Sequence, residues 1–300
     1  MMRKIKLITL GILLGFINLM AQDPIFLQPL ETNVNLNPAL VGNDSVTRLN
    51  LIYRNECPNL TRNFVTGSAN FYRYIPKLKA YAGITYLNDN QNRGLLISNN
   101  VSIFYSQNIK INQVLIRPSF EFAFGQRVLD RSKILFGATT VYRYGFVWNS
   151  QEYIPTPNKS NIDFNFGTIV YYKKLFVGFS IHHITEPDIG LQGVKKLPTR
   201  YGLQFGYEFT VKKVVLSPYA VYFRQEKYLS ILIGTNALLF NHLNVGLAYR
   251  NQSYVVSNVG YQNKFFKINY SFDLAKEKNF STSAGSHELY LSFRLNRLRL

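Results

Sequence analysis

From Leu243 to Leu274 apolar and polar residues alternate through three successive runs. Leu243, Val245, Leu247 and Tyr249 oppose Asn244, Gly246, Ala248 and Arg250. After a short polar turn, Val255, Val259 and Tyr261 oppose Asn258, Gly260 and Gln262. Phe266, Ile268, Tyr270, Phe272 and Leu274 then oppose Lys267, Asn269, Ser271 and Asp273. Successive side chains of a strand point to opposite faces, so each run has one apolar wall and one polar wall. The pattern continues through most of the chain, with no amphipathic helix to cover the apolar side. A closed barrel in a membrane satisfies both walls: lipid takes the apolar one, the lumen takes the polar one, and no strand edge stays open. The sequence therefore predicts an all-β fold, an antiparallel transmembrane β-barrel.

The same reading places strands near 46–55, 62–73, 79–88, 95–110, 113–126, 160–172, 175–185, 199–210, 213–224, 228–240, 243–251, 253–262, 265–275 and 286–296. That is about 14, an even number as single-chain bacterial barrels require. Tyr and Phe together make up 44 residues against a single Trp, a bias that suits pleated surfaces and the aromatic girdles of a membrane barrel. A mean hydropathy of -0.06 fits, because a barrel averages its two faces. Glycines fall repeatedly on the polar face, where a narrow or filled lumen needs small residues. Pro118 and Pro218 interrupt strand-like runs, and each is expected to mark a bulge or a strand start. The two long connections, 127–159 and 186–198, are expected on the extracellular side.

Residues 1–21 read as a secretory signal peptide: basic Arg3, Lys4 and Lys6, an apolar core from Leu7 to Leu19, and a small residue, Ala21, before the cut. No cysteine stands at the cut to carry a lipid. Residues 22–45 form an irregular segment, punctuated by Pro24, Pro29, Pro38 and Gly42, that can plug the lumen. The barrel then occupies 46–300, and no later apolar stretch is long enough for a helical span.

The formal net charge is +18, of which Arg3, Lys4 and Lys6 supply three. The basic residues are spread, many in turns, as at Lys77, Lys79, Lys173, Lys174, Lys195, Lys196, Lys212, Lys213 and Lys264. Nucleic-acid binding wants a basic face or a recognised motif, and neither is visible. Anionic headgroups and the lumen wall are simpler uses for this charge. Cys57 is alone, so no intramolecular disulfide or multi-cysteine metal site forms; a small buried hydrophobe is its expected role.

The chain does not read as an enzyme. Ser180 and His182 share a strand face, but without an orienting third group they read as a lumen-facing polar pair. Ser286, His287 and Glu288 alternate faces and form no triad by themselves. His182 and His183 have the same difficulty as metal ligands and lack paired carboxylates. No glycine cluster precedes a helix to cradle phosphate. No catalytic, metal or cofactor site is expected.

Short motifs in a fixed order run nearly the length of the mature chain. Gln22 to Phe26 is followed by Leu36-Asn37-Pro38-Ala39-Leu40-Val41-Gly42, then Tyr53-Arg54-Asn55, then Leu197-Pro198 leading to Tyr201. Near the carboxyl end come Gly246-Leu247-Ala248-Tyr249-Arg250, Val259-Gly260-Tyr261-Gln262, Tyr270-Ser271-Phe272-Asp273 and Gly285-Ser286-His287-Glu288. Each is weak alone; in this order they resemble the PorP/SprF family of type IX secretion system membrane proteins. Cys57 before Pro58, where an aromatic is more usual, and the tail Asn296 to Leu300 depart from the pattern. The resemblance implies a non-enzymatic barrel, integral to the outer membrane after signal-peptide cleavage. It implies a part in secretion or surface attachment of proteins such as gliding adhesins, by docking their carboxyl-terminal sorting domain or by coupling export components to that membrane. Its expected partners are outer-membrane lipid, an adhesin-type secreted protein and other type IX components.

The family-motif positions Asn37, Pro38, Tyr53, Arg54, Asn55, Gly285, Ser286, His287 and Glu288 carry no assigned role. Alternative readings are a porin or hydrophobic-solute transporter and, behind it, a lipid-modifying enzyme. Exposed aromatic and Asn side chains on the loops (Tyr153, Asn158, Asn161 and Asn251) suit recognition of a folded partner.

Overall fold

A computed structural model of the chain describes residues 23–31, 33–42, 44–60, 63–134, 140–141, 145–146, 158–191, 193–251, 253–275 and 284–295. The expected signal peptide, Tyr153 and the tail 296–300 lie outside them. Fourteen antiparallel strands form one closed barrel. They are β1 (Arg48–Glu56), β2 (Phe64–Ile75), β3 (Ala80–Gln91), β4 (Leu96–Gln107), β5 (Val114–Leu129), β6 (Asn158–Tyr172) and β7 (Leu175–His182). The second half holds β8 (Arg200–Tyr207), β9 (Val214–Gln225), β10 (Tyr228–Leu239), β11 (Leu243–Arg250), β12 (Ser253–Gln262), β13 (Phe266–Ala275) and β14 (Ser286–Arg294). Each strand pairs with its neighbour in sequence, and β1 closes the ring against β14, Arg48 opposite Arg294 and Glu56 opposite Ser286.

The period-2 pattern sets the two walls. On β11, Leu247 is 61% exposed and faces outward, whereas Asn244 is 4% exposed and faces the lumen. Phe120, Phe122 and Phe124 on β5 and Tyr201, Leu203 and Phe205 on β8 are likewise exposed on the outer surface. The strands alternate between two unlike rims. One rim carries the turns 76–79, 112–113, 173–174, 212–213, 240–242 and 263–265; the other carries the short connections 92–95, 226–227 and 251–252 together with every connection longer than four residues, including 130–157 and 183–199. Short turns face the periplasm in bacterial barrels and long loops face outward.

Pro118 and Pro218 make neither a bulge nor a strand start. Pro118 stays in register opposite Thr168, and Pro218 opposite Thr235. The missing amide is felt on the other side. β4 breaks for one residue at Asn108 before resuming as Ile109–Ile111, and β8 breaks at Glu208 before resuming as Phe209–Val211. Register continues across both breaks, Ser106 opposite Ser119 and then Ile109 opposite Ile116. A proline thus removes one ladder bond without shifting the pairing.

Two further expectations change. Cys57 is half-buried in a turn, in left-handed backbone (φ 53°), and its amide donates to the Gly285 carbonyl at 2.9 Å rather than packing in a core. Asn158 and Asn161 lie within β6. The Asn251 side chain, in the β11–β12 connection, bonds the start of the neighbouring strand β10, accepting from Ile231 N at 2.8 Å and donating to Leu229 O at 3.0 Å. These three Asn residues serve the barrel's own rim.

Candidate functional site

Residues 23–31 and 33–42 run through the lumen. Pro24, Pro29 and Pro38 deny the segment a regular ladder, so its backbone groups need partners from the wall. Its apolar side chains fill the space between walls: Leu27, Leu36, Ala39 and Leu40 pack with Ile169, Val221, Leu232 and Val256, and Val34 and Val41 pack with Tyr72, Tyr81 and Phe104. Burying one such side chain is worth about 1.5–3 kcal/mol.

The deepest anchor is Asn37. Its Oδ1 accepts from Ala39 N at 2.9 Å, the turn that an Asn side chain favours before proline. Its Nδ2 lies near three wall acceptors, Gln204 Oε1 at 2.9 Å, Phe179 O at 3.0 Å and Thr168 O at 3.2 Å. Gly167 makes this possible, since a Cβ there would stand 2.0 Å from Asn37 Oδ1. Around Asn37 the wall caps the segment's carbonyls. Ser180 Oγ donates to Leu36 O at 3.2 Å and His182 Nε2 donates to it at 2.9 Å. Ser106 Oγ donates to Pro38 O at 2.8 Å, and Arg117 Nη1 donates to Ala39 O at 3.2 Å and Val41 O at 2.6 Å. Arg117 is fully buried, and its guanidinium lies over the rings of Tyr81 and Tyr171. Ser180 and His182 therefore share one carbonyl as acceptor.

A second anchor joins two of the sequence motifs. β1 and β14 place Arg54 opposite Glu288, Asn55 opposite His287 and Glu56 opposite Ser286. Arg54, Ser286 and Glu288 are buried on the lumen side. Glu288 accepts from Leu27 N at 2.6 Å and Gln28 N at 3.1 Å through its two oxygens. Arg250 Nη2 donates to Phe26 O at 3.1 Å. Tyr53 and His287 point outward. The Tyr270 hydroxyl donates to His287 Nδ1 at 2.6 Å, which leaves Nε2 to donate to Ala284 O at 3.1 Å. Gly285 sits at φ 69°, where a Cβ would stand 2.4 Å from Asp273 O, so the backbone conformation and the space both call for glycine.

The third anchor holds the segment's start at the long-loop rim. Asp23 Oδ2 meets His183 Nε2 at 2.7 Å and Arg200 Nη1 at 2.9 Å. His183 Nδ1 meets Asp163 Oδ2 at 2.6 Å, so both ring nitrogens face carboxylates and the ring is a cation. Burial works against that charge, but Asp23 and Asp163 outweigh it and push the His183 pKa up to about 9. Burial also opposes the Asp23 carboxylate, and His183 and Arg200 outweigh it to hold Asp23 well below the usual range.

A raised histidine pKa gives stabilisation that is complete below its ordinary value of 6.5 and fades as pH rises through about 9. A depressed aspartate pKa gives stabilisation present above 3.8 and lost as pH falls through the lowered value. Hydrogen exchange at the Ile25 and Phe26 amides should therefore be slow at pH 6 and faster at pH 9.5, beyond the intrinsic base catalysis seen in a loop control. His183→Gln should remove the difference. Equal protection at both pH values in the unaltered protein would refute the latch.

Of the nine motif positions, Asn37, Pro38, Arg54 and Glu288 meet the segment or its anchors. Ser286 and Gly285 shape the β14 entry, whereas Tyr53, Asn55 and His287 do not touch the segment. Arg250 enters the sequence reading only within an alternating run and the motif Gly246-Leu247-Ala248-Tyr249-Arg250, with no role; Arg117, Gln204 and Asp163 were not singled out by sequence. Their only signal was charge or amide on the polar face of an alternating run.

Alternating walls, closure without an edge and an inward-folded amino-terminal segment define a plugged outer-membrane β-barrel. Residues 18–293 match the family of type IX secretion system membrane proteins PorP/SprF; the chain belongs to that family. Among solved structures the Pseudomonas putida toluene transporter TodX is similar, with a TM-score of 0.52 and 12% identity over 93% of this chain and 99% of that one. The CymD monoaromatic hydrocarbon channel is similar with a TM-score of 0.50 and 11% identity, over 91% of this chain and 94% of that one. At such identities the likeness concerns the fold. No curated protein matches the chain.

Proposed function

We propose that this type IX secretion barrel is non-enzymatic and assists the secretion or surface attachment of partner proteins such as gliding adhesins. It does so by docking their carboxyl-terminal sorting domain or by coupling export components to the outer membrane. The observation that carries the reading is the clamped segment 23–42: a lumen filled by the chain's own backbone, with its carbonyls capped by Ser106, Arg117, Ser180 and His182, suits a docking platform better than an open pore. The polar groups that resemble catalytic ones are engaged in that clamping. Cleavage after Ala21 would leave Asp23 one residue from the new amino terminus, beside His183 and Arg200. We place the docking surface on the long-loop rim, at loops 127–159 and 186–198.

A second reading, transport of a hydrophobic solute, draws on the fold likeness to TodX and CymD and on the apolar clusters inside the barrel. One experiment separates the two. Deleting the gene should remove one or a few large proteins from the cell surface and leave general permeability intact, by surface proteomics and dye uptake. An unchanged secreted set together with lost uptake of a small apolar solute would hand the case to transport.

A further inference from the structure

The short-turn rim is built of lysine. Four of its six turns carry one, spaced around the circumference: 76–79, 173–174, 212–213 and 263–265. In each turn a lysine adjoins an exposed apolar side chain. Lys77 stands beside Leu78 (54% exposed), Lys212 beside Val211 and Lys264 beside Phe265 (73% exposed). The Lys173 ammonium lies 5.3 Å from the centre of the Tyr172 ring. Lys79, Lys174 and Lys213 give three of these turns a second ammonium.

All seven are exposed, and among the described residues none of them forms an ion pair. The rim's own carboxylates do not answer them. Asp44 is engaged with Arg48 and Arg294, and Glu208, whose amide donates to Lys174 O at 3.0 Å, forms no ion pair among the described residues. The long-loop rim is mixed by contrast, with Glu56, Asp130, Glu186, Asp188 and Glu226 among its bases.

Turn chemistry does not select these residues. Lys79, Lys173 and Lys212 occupy left-handed backbone, φ 50°, 52° and 53°, where asparagine is favoured; Asn112 takes the equivalent place in the 112–113 turn. Left-handed backbone on this rim also holds Phe240, at φ 52°, so the turn geometry does not by itself require lysine. A folded partner would ask for lysines on one side of the rim. A lipid annulus meets all sides, at the depth where apolar side chains give way to charge.

We infer that this lysine ring binds the phosphate headgroups of anionic phospholipid in the periplasmic leaflet, and so fixes the depth of the barrel. The ring is independent of what the long-loop rim docks. The test uses the whole barrel in nanodiscs, with spin-labelled phosphatidylglycerol and phosphatidylcholine compared at low salt and in 0.5 M NaCl. The unaltered protein should hold phosphatidylglycerol in its first shell about fivefold more strongly at low salt, and the preference should collapse at high salt. A variant with Lys79→Asn, Lys173→Asn, Lys212→Asn, Lys77→Gln, Lys174→Gln, Lys213→Gln and Lys264→Gln should lose it.

The asparagines suit the left-handed positions, and a gel mobility shift on boiling checks that the variant folds. Arginine at the same seven positions should keep the preference and guards against a general effect of substitution. Equal association of the two lipids with the unaltered protein, or a preference retained by the Asn/Gln variant, would overturn the inference. The ring would then be left to an acidic protein surface.

Discussion

Leu247→Arg should lower the stability of the barrel in lipid vesicles by about 2–4 kcal/mol, the cost of a guanidinium near the bilayer midplane. Leu247 stands on the outer wall at 61% exposure, in the middle of β11 and away from both rims. Its neighbours across the strand pairs are Thr235 and Ser257, neither of which carries a charge to pair with arginine. Asn244→Arg, three residues away on the lumen wall, places the same charge among polar groups. It should cost less, mainly through crowding of a buried position. Urea unfolding of both variants in vesicles of one lipid composition gives the comparison. Equal losses, or the reverse order, would contradict the facing of β11.

The second large effect is expected at Glu288. Glu288→Ala removes the acceptor of the Leu27 and Gln28 amides and the carboxylate that faces Arg54 and Arg250 inside the barrel. Buried donors and charges left without a partner cost more than the bond itself is worth. A loss of about 3–5 kcal/mol is expected, with fast hydrogen exchange at the Leu27 and Gln28 amides and a higher ion conductance in planar bilayers. Glu288→Gln retains one acceptor oxygen and should fall between. Amide exchange unchanged in Glu288→Ala would show that the segment is held without this anchor.

The barrel was legible because period-2 alternation is a local signal that each strand carries by itself. All fourteen predicted strands match observed ones, and the departures are at ends, such as β5 ending at Leu129 where the reading ended at 126. The prolines misled because a proline predicts a lost ladder bond but not which side of the strand loses it. In β5 and β9 the neighbour absorbs the loss.

The lumen was less legible. Segment 23–42 has no period, and its wall partners lie 33 to 261 residues away in sequence, as in Asn35 with Ser68 and Leu27 with Glu288. The motifs Tyr53-Arg54-Asn55 and Gly285-Ser286-His287-Glu288 were singled out separately. Only ring closure, which pairs β1 with β14, makes Arg54 and Glu288 neighbours.

That closure also sets an order of events in assembly. The segment is synthesised before every strand, yet its acceptors and donors come from β2, from β4 to β9 and from β11, β13 and β14. It can seat only after the last strand has met the first, because until then Arg54 and Glu288 lie on opposite edges of an open sheet. Loop-closure entropy must be met before such distant contacts return anything. A seated segment is thus a built-in proof of completion: a nascent barrel missing its final strand keeps that segment loose and protease-sensitive, and the finished one hides it.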